Sequence, residues 1–247
     1  MAAHDRPEEP QTGAEAPVSI TIFFPCYNEQ DNVARVAEQA IAVAEALSAD
    51  YEIIIVNDGS TDDTARIADG IAADHEHVRV VHHESNLGYG AALQSGFKAA
   101  TKEFVFYTDG DGQFDISEMP PLLELMNEYD VVSGYRMNRQ DGLVRRVGGW
   151  VWTKLNCLIF SLNVHDIDCA FKLYRRAIFD TIKMESTGAL IDTEILARAV
   201  KKGYRITQKG VHHYPRPAGR QTGASPRVVL RALRELLRLR RRIVSDE

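Results

Sequence analysis

Residues 104–113 read FVFYTDGDGQ, and this run decides how the rest of the chain is parsed. Residues 104–108 form a short apolar and aromatic stretch, suited to a buried strand, that passes straight into Asp109-Gly110-Asp111-Gly112. In extended chain, residues i and i+2 point to the same side, so both carboxylates can face one hard cation such as Mg²⁺ or Mn²⁺. Such ions accept few protein ligands and keep positions for phosphate oxygens. Gly110 and Gly112 remove side chains where a diphosphate needs close backbone approach. Gln113 follows as a further oxygen ligand or a holder of water. Asp-Gly pairs are also ordinary turn chemistry. The position directly behind a hydrophobic strand is what favours the metal reading.

Upstream, the same alternation repeats. Residues 19–24 (SITIFF) are a β-branched, aromatic run, and 28–47 show helical spacing with Val33, Val36, Ala40, Val43 and Leu47 on one face. Residues 51–56 (YEIIIV) are apolar throughout, as in a strand buried on both faces, and end in the turn Asn57-Asp58-Gly59-Ser60. A helix over 62–74, a strand over 78–81 and a helix over 88–100 complete the approach to FVFYT. Downstream, the spacing predicts a helix over 120–128 and a strand over 131–133. A looser tail follows, with a helix over 145–161, a strand over 171–174, a helix over 192–202 and a strand over 205–211. This order predicts an α/β protein with an open, mostly parallel, Rossmann-like sheet and helices on both faces. Ligands of such sheets bind beyond the carboxyl ends of the strands. There the sequence delivers Pro25-Cys26-Tyr27-Asn28-Glu29, Asn57-Asp58-Gly59-Ser60 and Asp109-Gly110-Asp111.

Composition sets outer limits. With 247 residues and 45% apolar content the chain can bury one sizeable core. Residues 1–17, rich in Pro, Glu, Ala and Gly, read as a disordered tail, 18–225 as one domain, and 226–247 as a basic amphipathic helix. A net charge of -6 gives no reason to expect nucleic-acid binding. The three cysteines, Cys26, Cys157 and Cys169, are too scattered for a disulfide framework, which suits a reducing cytoplasm. The N-terminus is acidic and lacks the apolar core of a signal peptide. Residues 147–164 are interrupted by Lys154 and Asn156 and read as too short and polar to span a membrane.

Several ordered motifs, FFPCYNEQDNV, IIIVNDGSTDDT, ESNLGYGAALQSGF, YTDGDGQFD, SGYR, DIDCAFKLYRR and HHYPRPAGRQTGAS, extend over residues 20–227. Together they resemble the inverting GT-A glycosyltransferases of family 2, above all the dolichol-phosphate mannose synthases and related polyprenyl-phosphate glycosyltransferases. The resemblance implies a nucleotide pocket lined by Pro25, Tyr27 and Glu29, with Asp58 at the base or ribose and Ser60 beside it. It implies a Mg²⁺ or Mn²⁺ ion and the donor diphosphate at Asp109 and Asp111, with Gln113 close by. Arg136 of SGYR resembles an arginine that reaches substrate phosphate, and Arg145 or Arg146 supplies a second. Arg220 resembles the arginine of a late R-x-x-G-x-S motif, and Arg216 with Gly219 gives an alternative register. Asp166 matches a common acidic position. The implied donor is a GDP-mannose or UDP-glucose type of sugar nucleotide, and the implied acceptor a polyprenyl or dolichyl phosphate.

Other readings stay open. A hydroxyl acceptor would need a carboxylate base, for which Asp192, Glu194 and Asp166 are candidates. Asp192 and Glu194 are equally explained as favourable charge in a helix's first turn. A sugar-1-phosphate nucleotidyltransferase would carry a Gly-rich, Arg-containing loop where this chain has PCYNEQ. A non-catalytic sugar-nucleotide-binding protein is the third class, and the intact Asp-Gly-Asp speaks against it. Near the C-terminus, Arg227, Arg231, Arg234, Arg238 and Arg241 fall on one helical face, with Leu230, Leu233, Leu236, Leu237 and Ile243 around the rest. With Trp150, Trp152, Leu155, Leu158 and Phe160 upstream, they suit peripheral attachment at the cytoplasmic face of a membrane. Packing on the domain itself, on a membrane-protein partner or on a second copy of the chain would use the same residues.

Overall fold

The β-branched and aromatic runs become strands and the periodic runs become helices. The computed structural model describes residues 17–47, 49–137, 143–218 and 226–245, with backbone alone for 143–145 and 226–234. In chain order the elements are β1 (Ser19–Cys26), α1 (Val33–Ala46), β2 (Asp50–Asn57), α2 (Thr64–Asp74), β3 (Val78–His82), α3 (Tyr89–Ala99) and β4 (Phe104–Thr108). They continue with α4 (Pro120–Leu125), β5 (Val131–Met137), α5 (Leu143–Phe160), β6 (Phe171–Arg175), α6 (Ile191–Lys201), β7 (Ile206–His212) and α7 (Pro226–Ser245).

Two boundaries differ from the sequence expectation in ways that matter for the site. Helix α1 begins at Val33 rather than at residue 28. Asn28 takes a left-handed φ of 57°, which leaves 27–32 as a turn over the end of β1. Strand β5 runs on to Met137 because it pairs in parallel with β7 along its whole length, so Arg136 lies within the sheet.

The seven strands are ordered β3-β2-β1-β4-β6-β5-β7. Strand β1 pairs in parallel with β2 on one side and β4 on the other, so the strand order reverses at β1 and a crevice opens beside its end. The sheet is mostly parallel, as expected, with β6 antiparallel to both β4 and β5. That reversal has a functional consequence. Thr108 at the end of β4 is registered against Phe171 at the start of β6, so the segment entering β6 reaches the same edge as Asp109.

The core is continuous across the sheet and includes an aromatic nest in which Phe97 meets Phe23 edge-on at 4.8 Å and stacks on Phe179 at 4.0 Å. A smaller cluster joins Leu236, Leu239 and Ile243 of α7 to Leu190 and Ala197, with Trp152, Leu155, Ile159 and Phe160 of α5 packed against it. Helix α7 is therefore docked on α5 and α6 through one apolar face. Among the described residues, no helix is long and apolar enough to cross a membrane.

Candidate active site

The ends of β1 and β2 are tied into one platform. The Asp58 amide donates to Cys26 O at 2.9 Å, the Asn28 amide to Ser60 Oγ at 3.0 Å, and the Thr61 amide to Asn28 Oδ1 at 2.9 Å. Ser60 thus joins two loops and does not line the cavity beside them. Asp58 does line it, yet its carboxylate is already engaged. It accepts from the amides of Leu87 at 2.9 Å and Gly88 at 3.0 Å and meets His83 Nδ1 at 2.6 Å. Asp58 therefore anchors the entry to α3 as well as facing the cavity. The backbone of Ser85 and Asn86 passes where a Cβ at residue 59 would stand, and Gly59 has a φ of +65°, so only glycine fits this crossing.

The carboxylate pair follows β4. A Cβ at residue 110 would meet Cys26 Sγ and Pro25 O at 2.6 Å, so Gly110 lets this loop close against the end of β1. Burial first, then the Asp111 charge, push the Asp109 carboxyl up to about 8, against the pull of the neighbouring Tyr89 hydroxyl. Burial also raises Asp111, against the Gln113 amide that donates to it at 3.1 Å and the Arg216 guanidinium 3.9 Å away. Two adjacent carboxylates disfavoured in their charged form suit a divalent cation, which would restore that form. Among the described residues, no three His, Cys, Asp or Glu side chains are grouped to hold a metal. An ion here would draw its remaining ligands from water and substrate oxygens.

Gln113 pins the segment after β7. Its Nε2 donates to Tyr214 O at 2.9 Å, and the Tyr214 amide donates to Gln113 O at 2.8 Å. This brings Arg216 over the site, where it pairs with Glu29, whose carboxyl is raised by burial. Of the two arginine registers, Arg216 thus stands at the cavity, and Arg220 lies outside the described residues. Pro25, Tyr27, Glu29, Asp58, Asp109, Asp111 and Gln113 line a single cavity of about 790 Å³.

A second cavity of about 740 Å³ shares Tyr89 and Asp109 with the first and is walled by α5, α6, α7 and residues 185–190. Two of the suggested base residues are committed elsewhere. Glu194 is sealed in, accepting from Arg198 at 3.0 Å and from the Ser186 amide at 2.7 Å. Asp166 is bound bidentately by Arg136 at 2.6 and 2.8 Å. The Arg136–Asp166 pair lines a third pocket with Arg146, and the Arg136 charge still acts on Asp109. The Arg145 side chain lies outside the described residues. Asp192 faces the second cavity but is held by Lys172 at 2.7 Å and by the Tyr107 hydroxyl. Asp168 also lines this cavity, and burial pushes its carboxyl up to about 6.

Sequence reasoning missed Tyr89, Tyr107 and Lys172. One signal was available, since a lone lysine in the apolar strand FKLYR needs a buried partner.

An open α/β sheet with a paired-carboxylate loop at its switch point, beside a cavity large enough for a nucleotide, is the architecture expected of a GT-A-type fold. A model of glycosyl transferase family 2 matches residues 21–183, and the chain belongs to that family. It is 30% identical over 223 residues to dodecaprenyl-phosphate galacturonate synthase of Rhizobium johnstonii, covering 85% of this chain and 64% of the relative. It is 32% identical over 165 residues to undecaprenyl-phosphate 4-deoxy-4-formamido-L-arabinose transferase of Klebsiella pneumoniae, covering 66% of this chain and 50% of the relative. The chain thus spans about half to two thirds of the length of these relatives. A crystal structure of Mycobacterium tuberculosis glucosyl-3-phosphoglycerate synthase, in complex with Mn²⁺, UDP-glucose and phosphoglyceric acid, matches in fold with a TM-score of 0.62 at 20% identity. That match covers 92% of this chain and 77% of that one.

Proposed function

We propose that the chain transfers a sugar from a nucleoside-diphosphate donor to a polyprenyl phosphate, with inversion at the anomeric carbon. The observation that carries this reading is that Asp109 and Tyr89 are the common wall of two cavities. A donor in the first cavity presents its sugar toward the second. The platform of Tyr27, Glu29 and Asp58 takes the nucleoside, and Asp109 and Asp111 would hold a Mg²⁺ or Mn²⁺ ion, with Gln113 and Arg216 beside them. Such an ion, held by Asp109 and Asp111, would stabilise the charge on the leaving diphosphate. The acceptor phosphate is already an anion near neutral pH, so an oxygen of it can form the new bond without a strong base. The electron pair of the broken bond departs on the diphosphate.

The acceptor class is supported by relatives named for dodecaprenyl and undecaprenyl phosphate, and the donor class by a fold neighbour that carries UDP-glucose with Mn²⁺. The test is incubation of the full chain with UDP- and GDP-sugars and a polyprenyl phosphate, with Mn²⁺, Mg²⁺ or chelator. Lipid-linked sugar formed only with metal is the expected product. Transfer to soluble hydroxyl acceptors alone overturns the acceptor assignment.

Peripheral attachment to a membrane belongs to the same reading. On α5, Trp150 and Leu158 are 61% and 81% exposed, and on α7, Leu237 and Val244 are 59% and 60% exposed. Arg146, Arg240 and Arg241 are exposed on the same two helices. An apolar surface edged with arginine suits an anionic bilayer interface. Sedimentation with anionic vesicles, weakened by salt, is the expected result. Absence of binding at low salt contradicts it.

A further inference from the structure

We propose that α7 is the acceptor-binding wall of the site, with Arg238 receiving the phosphate of the lipid acceptor inside the second cavity. The inference rests on the polyprenyl-phosphate reading above and assigns the anion contact to a helix that the sequence offered only as a membrane or packing element.

The geometry starts from helical spacing. Glu235, Arg238, Leu239 and Arg242 recur at intervals of three and four, so they share one face of α7, and all line the cavity that contains Asp109. Leu239 also belongs to the seam that fixes α7 on α5 and α6, so the backbone carrying these arginines is docked at the site. Arg242 is partly occupied by Glu185 at 3.6 Å, and Glu185 also holds Arg198 at 3.2 Å. Arg238 is exposed at the cavity wall, and among the described residues it has no ion pair or hydrogen bond.

The opposite chemistry is present in the same cavity. Half-buried Trp152, backed by the buried Leu190 and Leu239, gives the cavity an apolar side, so it offers a guanidinium next to apolar carbon. An amphiphile with an anionic head and an isoprenoid tail matches both halves. The planar guanidinium fork also fits phosphate oxygens in a bidentate way.

The alternative cation is Arg136, the residue that the family resemblance pointed to. Its charge reaches Asp109 and Asp168, but its guanidinium is already bound by both oxygens of Asp166. Two of the carboxylates in the second cavity are matched from behind, Asp192 by Lys172 and Glu185 by Arg198. Asp109 faces the donor side as well, where a divalent ion would neutralise it.

The test is binding of farnesyl phosphate, farnesol and inorganic phosphate to the full chain by titration calorimetry, with Mn²⁺ and UDP or GDP present. Wild type should bind farnesyl phosphate more tightly than either farnesol or phosphate. Arg238→Ala should weaken farnesyl phosphate by roughly tenfold or more, leave farnesol unchanged and leave nucleotide affinity intact, as loss of a charged hydrogen bond requires. Arg238→Lys should recover part of the loss. Since Arg238 is exposed and the packing residues are untouched, a thermal midpoint near wild type accompanies both variants. Wild-type affinity for farnesyl phosphate in Arg238→Ala, particularly with loss in Arg136→Ala, overturns the assignment to α7 and leaves the acceptor reading standing. Equal wild-type affinity for farnesyl phosphate and farnesol overturns the acceptor reading itself. Equal affinity for inorganic phosphate overturns the apolar side as the place of the tail.

Discussion

The cavity proposed for the donor takes its walls from short loops at the ends of β1, β2 and β4, whereas the second takes most of its walls from helices α5, α6 and α7 and residues 185–190. The first group is brought together by the sheet itself, because adjacent parallel strands end at one edge. The second is brought together by long-range packing of helices that lie far apart in sequence. Asp109 is where the sheet-built cavity meets the helix-built one.

The largest effect is expected at that meeting point. Asp109→Asn or Asp111→Ala should lower kcat/KM by roughly 10²- to 10³-fold or more, with a circular-dichroism melt close to wild type. Near-normal turnover in a folded variant would break the distinction between the shared wall and the rest of either cavity.

Next in size is the buried ion pair beneath the second cavity. Lys172 is fully buried and Asp192 nearly so. Lys172→Met should cost about 3–5 kcal/mol in urea unfolding, because it strands the Asp192 charge. Adding Asp192→Asn should recover much of that loss. A single variant as stable as wild type would show that the helical side does not depend on this pair.

A smaller change is expected on the donor platform. Asp58→Ala removes the acceptor of the Leu87 and Gly88 amides and should raise donor KM by roughly tenfold with less effect on kcat. Collapse of kcat at unchanged donor KM would move Asp58 from the platform to the chemistry.

The smallest effect concerns pH. Between the ordinary carboxylate range and about 8, folded Asp109 keeps a proton that the unfolded chain has released. Metal-free stability should therefore fall as pH rises through that window, read as a falling Tm, and saturating Mn²⁺ should offset the fall. A metal-free Tm that climbs steadily from pH 5 to 8 contradicts the buried-carboxylate account.

The same contrast governs what could be read from the sequence. FVFYTDGDGQ shows both strand and site, because i, i+2 geometry is local and the strand end fixes where the carboxylates go. The platform residues Pro25, Tyr27, Glu29 and Asp58 were legible for the same reason. The role of Ser60 as a tie between two loops was not legible, because its hydroxyl serves the Asn28 amide across a loop crossing that no local pattern announces. On α7, Leu236 and Leu237 are neighbours of equal hydropathy, yet one is buried and the other 59% exposed. Only the docking partners on α5 and α6 decide which, and those lie some eighty residues and forty residues back, roughly, beyond any helical period. Lys172 carried a signal in its apolar strand, but its partners Asp192 and Tyr107 arrive from other elements. Arg136 and Asp166 were each legible as charges and not as a pair, since the antiparallel turn of β6 is what places them together.

The most direct test is calorimetric titration of UDP and GDP into the full chain, with and without Mn²⁺, for wild type and Asp111→Ala. The carboxylate site predicts that Mn²⁺ and one of the two nucleotides each strengthen the other's binding in wild type, and that this coupling vanishes in Asp111→Ala. Nucleotide binding of equal strength with and without Mn²⁺, unchanged in the variant, would contradict it.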